Sequence, residues 1–458
     1  MIRRERQIQK GSFASGSIIY WMRREQRVRD NWALLFAQEQ AVALGQEMHV
    51  LFCINITQER MAERQTDFLL CGLAQVEAEL RPLHIPFTIL LGDPGEEIPR
   101  WCSTRQIAGL VADFSPLRQC RHDLVQVAAR LNGLPVFEVD AHNIVPYWVV
   151  SAKQEYGAYT LRPKLHRLLP HYLVEFPPLK PQQPQIEPDK PIDWQGVRKQ
   201  LKTEPSGPSV SGVEPGGRGA LRQLEAFLSE RLADYGAKHN DPVADIGSGL
   251  SSYFHFGHIA PQRVALEVLR QASLGSSSEA FLEQLVVRRE LADNYCYYNS
   301  SYDGFAGLPA WGQATLMQHR SDRRESLYQL EELEAAATHD AIWNAAQTEL
   351  VSRGKIHGYL RMYWAKRLLE WTEEPAEALR WTIYLNDRYA LDGCDPNGYA
   401  NIAWCIGGLH DRPWPERPIF GKVRYMNANG LRRKFAIEDY VRKISGLSKL
   451  EANRQGEA

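Results

Sequence analysis

The first third of the chain alternates short apolar runs with amphipathic helical patterns, and few folds accept that order. SIIYWM (17–22) is followed by RVRDNWALLFAQEQAVALG (27–45), MHVLFCIN (48–55), a helical period around 60–81 and FTILLG (87–92). A helix near 95–106, GLVADF (109–114), a helix near 118–131 and LPVFEVD (134–140) complete the series. Strands separated by helices must be joined by crossovers, which makes them parallel neighbours covered on both faces. Residues 15–150 are therefore expected to form a doubly wound α/β domain. No G-x-G-x-x-G follows the first strand, so a dinucleotide site of the usual kind is not indicated there.

The pattern then breaks. FPPLKPQQPQIEPDKP (176–191) and TEPSGPSVSGVEPGGRG (203–219) are rich in proline, glycine and polar residues. Residues 151–219 are thus expected to be an inter-domain linker, proline-rich from about 175. From Ala220 to about 445 long helical periods dominate and predict an all-α domain, with 446–458 as a polar tail. A chain of 458 residues suits such a division.

A formal net charge of -1 excludes a uniformly basic nucleic-acid binder. It leaves room for a local patch: Arg412 to Lys443 holds nine Lys or Arg against three acids, a run that suits either a polyanion or a plain solvated face. Seven scattered cysteines with no C-x-x-C argue against a disulfide framework or a zinc site and suit a reducing compartment. No signal peptide or membrane span is read from the sequence.

Three stretches of the second half are unusual. IGSGLSSYFHFG (246–257) is a Gly- and Ser-rich turn entering a helix; backbone N–H groups at Gly247 and Gly249, with the hydroxyls of Ser248, Ser251 and Ser252, suit a diphosphate but equally cap a helix. His255 and His258 are spaced like metal ligands, but no third ligand is near and no metal is expected. NDRYALDGCDPNGY (386–399) clusters Asn386, Asp392 and Asp395 around a turn signal. YLRMYWAKRLLEW (359–371) puts Trp364 and Trp371 two helical turns apart, roughly 10 Å along one face. That spacing serves core packing and electron hopping alike.

These stretches, together with YWMRREQRVRDNWALLFAQ (20–38), LVADFSPLR (110–118), VDAHNIVPYWVVSAKQEYGAYTLRPKL (139–165), VRRELADNYCYYN (287–299), AIWNAAQ (341–347) and AWCIGGLHDRPW (403–414), resemble the class II cyclobutane pyrimidine dimer photolyases of the photolyase and cryptochrome family. The resemblance covers nearly the whole chain outside the proline-rich linker and the tails. It implies an α/β antenna-type domain followed by an all-α domain that binds FAD, with a deazaflavin-type antenna as a candidate second pigment.

The resemblance also implies roles. Tyr235, Gly247, Ser248, Gly249, Leu250, Ser251, Arg361, Asn386, Asp392 and Asp395 match cofactor-binding positions. Asn386 faces the reactive nitrogen of the central flavin ring, and Trp364, Trp343 and Trp371 form the route that refills the flavin with electrons. Met362 and Trp404 match positions that touch a flipped-out dimer. Arg288, Arg412, Arg424, Arg432 and Arg433, with Trp404, would contact DNA. Class II relatives read FLEELVVRREL where this chain has FLEQLVVRREL (281–291), so the family's substrate-facing glutamate is Gln284 here. The implied activity is blue-light repair of pyrimidine dimers in DNA by a monomer, in the cytoplasm or, in a eukaryote, the nucleus. A cryptochrome-like photoreceptor without repair is the alternative.

Overall fold

The computed structural model describes residues 3–56, 61–183, 190–208, 210, 212–271 and 275–456. Eight strands are described: β1 (Glu5–Gln9), β2 (Ser17–Met22), β3 (Met48–Ile54), β4 (Met61–Ala62), β5 (Phe87–Leu91), β6 (Ile107–Asp113), β7 (Val136–Val139) and β8 (Thr203–Glu204). Six of them form one sheet in the order β1-β7-β6-β2-β3-β5, parallel throughout except for β1. The short β4 and β8 pair separately. The chain leaves β2 toward β3 and later returns to its other side at β6, so the topological switch lies between the carboxyl ends of β2 and β6.

The two-residue alternation of β2 explains the double winding. Ile18, Tyr20 and Met22 point into one core, with helix α1 (Trp32–Leu44). Ile19 and Trp21 point into the other, with α3 (Pro94–Ser103) and α4 (Arg118–Arg130). Helix α1 starts where the sequence supplies Asn31, whose side-chain oxygen accepts from the N–H groups of Ala33 and Leu34, and it stops at Gly45, φ 62°. Helix α2 (Glu63–Leu80) packs its apolar face against α8 (Gly216–Glu230) of the helical half.

Two boundaries differ from expectation. The sheet takes in β1, ahead of residue 15, because Glu5–Gln9 pairs antiparallel with β7 along an otherwise open edge. The expected linker carries α6 (Ala158–Tyr172), which buries Leu161 and Leu165, and the shorter α7 (Trp194–Gln200); α5 (Tyr147–Val150) closes the segment just before it. Part of its proline-rich stretch, 184–189, lies outside the described residues, as do 457 and 458 of the tail. The rest of the tail continues α21 (Ile437–Gly456).

The helical half has two cores. Helices α9 (Leu232–Lys238), α10 (Ser251–His255), α11 (Pro261–Arg270) and α12 (Gly275–Leu282) share the core of the sheet domain through Tyr235, Tyr253, Val264 and Phe281. A second core gathers α13 (Arg289–Tyr298), α14 (Ala310–Gln318), α15 (Leu330–Glu334), α16 (Ala341–Arg353), α17 (Gly358–Trp371), α18 (Pro375–Tyr389), α19 (Pro396–Gly407), α20 (Ala428–Lys434) and α21. No helix among the described residues is long and apolar enough to cross a membrane.

A buried polar seam crosses from the switch point to these helices. Asp113, at the end of β6, accepts from the N–H groups of Arg23 and Glu25 at 3.2 and 2.7 Å. Glu25 pairs with Arg27 and, at 2.7 Å, with His142. Arg24 turns the other way and binds Asp293 of α13 at 2.9 and 3.3 Å. Burial, joined by the Glu25 carboxylate, pushes Asp113 up to about 7, and burial pushes Glu290 up to about 8. Burial opposes ionisation of Glu25 too, but Arg27 and His142 hold it at about 2.

The signs of these shifts define a pH window. Asp113 and Glu290 are raised, so their stabilising contribution is complete below the unfolded carboxyl values near 4 and is lost as pH rises through about 7 to 8. Glu25 is depressed, and its contribution is lost as pH falls from about 4 toward 2. The melting temperature is expected to fall between about pH 4 and 8, and Asp113→Asn to flatten that fall. Scanning calorimetry across the range checks both outcomes, and an equal slope in parent and variant would refute the assignment.

Candidate active site

Arg361 on α17 and Asn386 in the last turn of α18 meet at 2.6 Å, the guanidinium donating to the amide oxygen. The amide nitrogen donates to Asp387 at 2.9 Å. Arginine only donates and a carboxylate only accepts, so the Asn386 amide has one orientation, with its second N–H left to donate. Gly398 on α19 permits this, since a Cβ there would lie 3.1 Å from the same nitrogen. Asp392 is half-buried, 4.0 Å from Arg361.

Asp395 is tied on every side. One oxygen caps α19 by accepting from the Asn397 N–H at 2.9 Å, and the other accepts from His255 at 3.1 Å and lies 3.8 Å from Arg24. Burial opposes its charge, yet His255 and Arg24 hold it well below the usual carboxylate range. Asp395 is therefore a junction between the two halves as much as a wall of the site. His255 is used there, and His258 accepts from the Gly216 N–H at 3.0 Å; among the described residues no group of three His, Cys, Asp or Glu forms a metal cluster.

The Gly- and Ser-rich turn lies between α9 and α10. The Gly247 carbonyl accepts from Arg231 at 3.2 Å and the Ser248 carbonyl from Gln223 at 2.6 Å. In planar trans peptides the following N–H groups, those of Ser248 and Gly249, then point the opposite way. Gly249 sits at φ 70°, and a Cβ there would strike Gln223 at 2.5 Å. Around Gly247 the space is open, with nothing within 4 Å of a Cβ. Leu250 is buried where α10 begins, and Ser251 is exposed. Tyr235 stacks on His239 at 4.8 Å, and the His239 backbone bonds His357, the residue that caps α17. These contacts set α9 against the helix that carries Arg361.

Between α12 and α13 the chain makes one π turn, Glu283–Arg288, and such turns recur at functional sites. Glu283 is held by Arg162 at 2.7 Å and Arg288 at 3.2 Å. Gln284 and Arg288 are exposed beside it. Met362 and Trp404 are half-buried, and Arg424 lies 5.7 Å from the Trp404 ring and 4.8 Å from that of Trp414, with Arg412 at 5.9 Å from the latter. The basic stretch is divided, however. Arg432 pairs with Glu438 at 2.8 Å and senses Asp340 and Tyr363, and Arg433 is exposed on the same short helix.

Three indoles form a continuous series. Trp364 and Trp343 are fully buried and stack at 6.4 Å with planes 7° apart, and Trp371 meets Trp343 edge-on at 5.5 Å. The indole N–H of Trp364 donates to Gln347 and that of Trp343 to the Trp364 carbonyl, each at 3.0 Å. The two turns between Trp364 and Trp371 are thus bridged by a ring from the neighbouring helix.

A doubly wound sheet domain seamed to a two-core helical domain is the photolyase and cryptochrome fold. The crystal structure of a class III photolyase from Agrobacterium tumefaciens superposes with a TM-score of 0.73 at 19% identity, covering 94% of this chain and 87% of the other. The DNA photolyase family model matches residues 18–184. The deoxyribodipyrimidine photo-lyase of Potorous tridactylus is 48% identical over 94% of this chain and 82% of its own length. That of Oryza sativa subsp. japonica is 45% identical over 96% and 90%. The chain belongs to the DNA photolyase family.

Sequence reasoning missed Arg24, Asp293 and the pairing of His255 with Asp395. A signal for Arg24 was present in RREQRVRD, a run of charge directly after a parallel strand, where open α/β sheets place ligands. Removing Asp395 deletes a helix cap and strips partners from buried Arg24. Asp395→Ala should cost roughly 3 kcal/mol, read from urea unfolding, and Asp395→Asn, which keeps a capping oxygen, clearly less. Equal losses would show that the cap and charge are not what matters.

Proposed function

We propose that the protein repairs cyclobutane pyrimidine dimers in DNA under blue light, with FAD bound between the two helical cores. The observation that carries this is on α17, where Arg361, next to Met362, holds the oriented Asn386 amide and Trp364 heads the indole series. The shared name of the near-full-length relatives favours repair over light sensing. The residues suit the cofactor: outward N–H groups at Ser248 and Gly249 and open space at Gly247 suit a diphosphate, Tyr235 and Leu250 supply apolar walls, and Arg361, Asn386 and Asp392 suit a polar ring edge. When bound, reduced and excited by light, FAD supplies the electron that opens the cyclobutane ring.

The rest falls to the protein. A dimer that stacks and pairs poorly is cheap to flip out of the duplex. Trp404 and Met362 give it an apolar face, and Gln284 donates an N–H to a pyrimidine carbonyl on which negative charge develops. Arg288, Arg412, Arg424 and Arg433 hold phosphates, so binding weakens as salt rises. Electrons pass inward from Trp371 through Trp343 to Trp364. The direct test is illumination of the purified, FAD-containing protein with a dimer-bearing oligonucleotide; failure to restore monomers refutes repair.

Two variants separate the parts. Trp364→Phe should abolish or severely slow photoreduction of the bound flavin while leaving repair by chemically reduced protein nearly intact. Photoreduction at the parental rate would place the electron route elsewhere. At Gln284 the chain offers a donor that cannot deliver a proton, so Gln284→Glu should raise the repair yield per photon. Equal yields would mean that Gln284 does not touch the lesion.

A further inference from the structure

Lys366 lies on α17 one turn beyond Met362, on the same face, and is fully buried. Its ammonium donates to the Cys405 carbonyl on α19 and stands 5.3 Å from the centroid of the Trp404 ring. Arg424 brings a second cation to 5.7 Å from that ring. Among the described residues no carboxylate pairs with Lys366; Asp411 pulls on it from beyond ion-pair distance. A buried lysine so placed costs stability that a methionine of similar volume would not, so packing does not explain it.

The indoles of the electron series are surrounded differently. Among the described residues no lysine or arginine stands over the ring of Trp364 or Trp343, whose N–H groups donate to neutral oxygens. Trp371 has Arg367 at 5.6 Å, but that guanidinium is balanced by Asp340 and Glu370. Trp404 alone of these four lies near cations left without a paired carboxylate.

We propose that Lys366, helped by Arg424, makes Trp404 a poor electron donor, so that this indole stacks on the lesion without being oxidised and electrons are drawn through Trp364. The proposal rests on the flavin and lesion sites assigned above. In the competing step that Lys366 suppresses, one electron leaves the Trp404 ring for the light-excited flavin, and no bond forms or breaks. The ring would be left with a positive charge 5.3 Å from an ammonium. At an effective dielectric near 20 that repulsion disfavours oxidation by on the order of a hundredfold. Lys366 acts through Trp404 and is a positioning residue.

The device has a pH signature. Burial pulls the Lys366 ammonium down to about 8, the Cys405 thiol and Asp411 working against that fall and Arg424 adding to it. Suppression is therefore complete below about pH 7 and lifts as pH rises past 8.

Two measurements on the FAD-containing protein test this. The first follows the indole ultraviolet band from pH 6 to 10, with Trp404→Phe marking the part due to Trp404. A step near pH 8 is expected in the parent and should be absent from Lys366→Met; a step that persists in Lys366→Met overturns the proposal. The second reads the excited-state lifetime of the flavin in a Trp364→Phe background. It should be long at pH 7, shorten when Lys366→Met is added, and lengthen again when Trp404→Phe is added. Raising Trp364→Phe alone to pH 9.5 should reproduce the shortening without touching Lys366, which guards against a folding defect. An unchanged lifetime in both treatments overturns the proposal, as does a lifetime already short at pH 7 that Trp404→Phe restores. A lifetime short at pH 7 whatever stands at 404 would refute the electron route instead, and leave Trp404 excluded as a donor.

Discussion

The clasp of Arg24 on Asp293, with Asp395 at 3.8 Å, is the interaction on which the arrangement depends. Arg24 leaves the sheet domain at the carboxyl end of its central strand, and its partners sit on two helices of the other half. Asp395 in turn caps α19 and receives His255 from α10. One guanidinium thus sets the distance between the switch point of the sheet, the helix behind the Gly- and Ser-rich turn and the turn beside Asn386. Breaking a buried pair of this kind costs about 3–5 kcal/mol, because the surviving charge is stranded. Asn143 joins the same knot, donating to Asp293 at 3.1 Å and to Asp140 at 3.0 Å. The seam explains why an α/β domain with no dinucleotide fingerprint keeps so polar a switch point: its charges hold the helical half in register.

That register matters because the proposed cofactor site draws on two cores. Tyr235 belongs to the core continuous with the sheet, whereas the buried indoles and the packing around Arg361 belong to the second. A cofactor held between them would feel any slip of one against the other. The paired contacts of His239 with His357 and of Asp245 with Lys355 at 4.0 Å also resist that slip.

Much of this was legible in the residues. The crossovers of the first domain follow from strand and helix periods, and Asn31, Asp340 and Asp395 stand where caps belong. Trp364 and Trp371 share a helix face by spacing alone. What spacing does not show is that Trp343, from another helix, fills the gap between them. Tertiary pairing was illegible for the same reason: Arg24 and Asp293 are 269 positions apart, and nothing local distinguishes them from other charges. The strand β1 was missed because ERQIQ reads as polar, an edge strand being under no demand to bury both faces. The helix in the expected linker was obscured by Pro163 and Pro170.

The π turn at Glu283–Arg288 completes the logic of the site. An i→i+5 turn widens the helix and costs hydrogen-bond geometry, so it persists only where neighbours hold it. Leu285, Val286 and Val287 are all buried there, three successive residues that a regular amphipathic surface helix would not bury together. Glu283 is anchored by Arg162 from α6 and by Arg288 across the turn. The acid next to Gln284 is therefore spent on structure, which leaves Gln284 itself exposed and free to meet a ligand. Helix α6, in the segment whose composition marks it as a linker, thus braces the turn that presents Gln284.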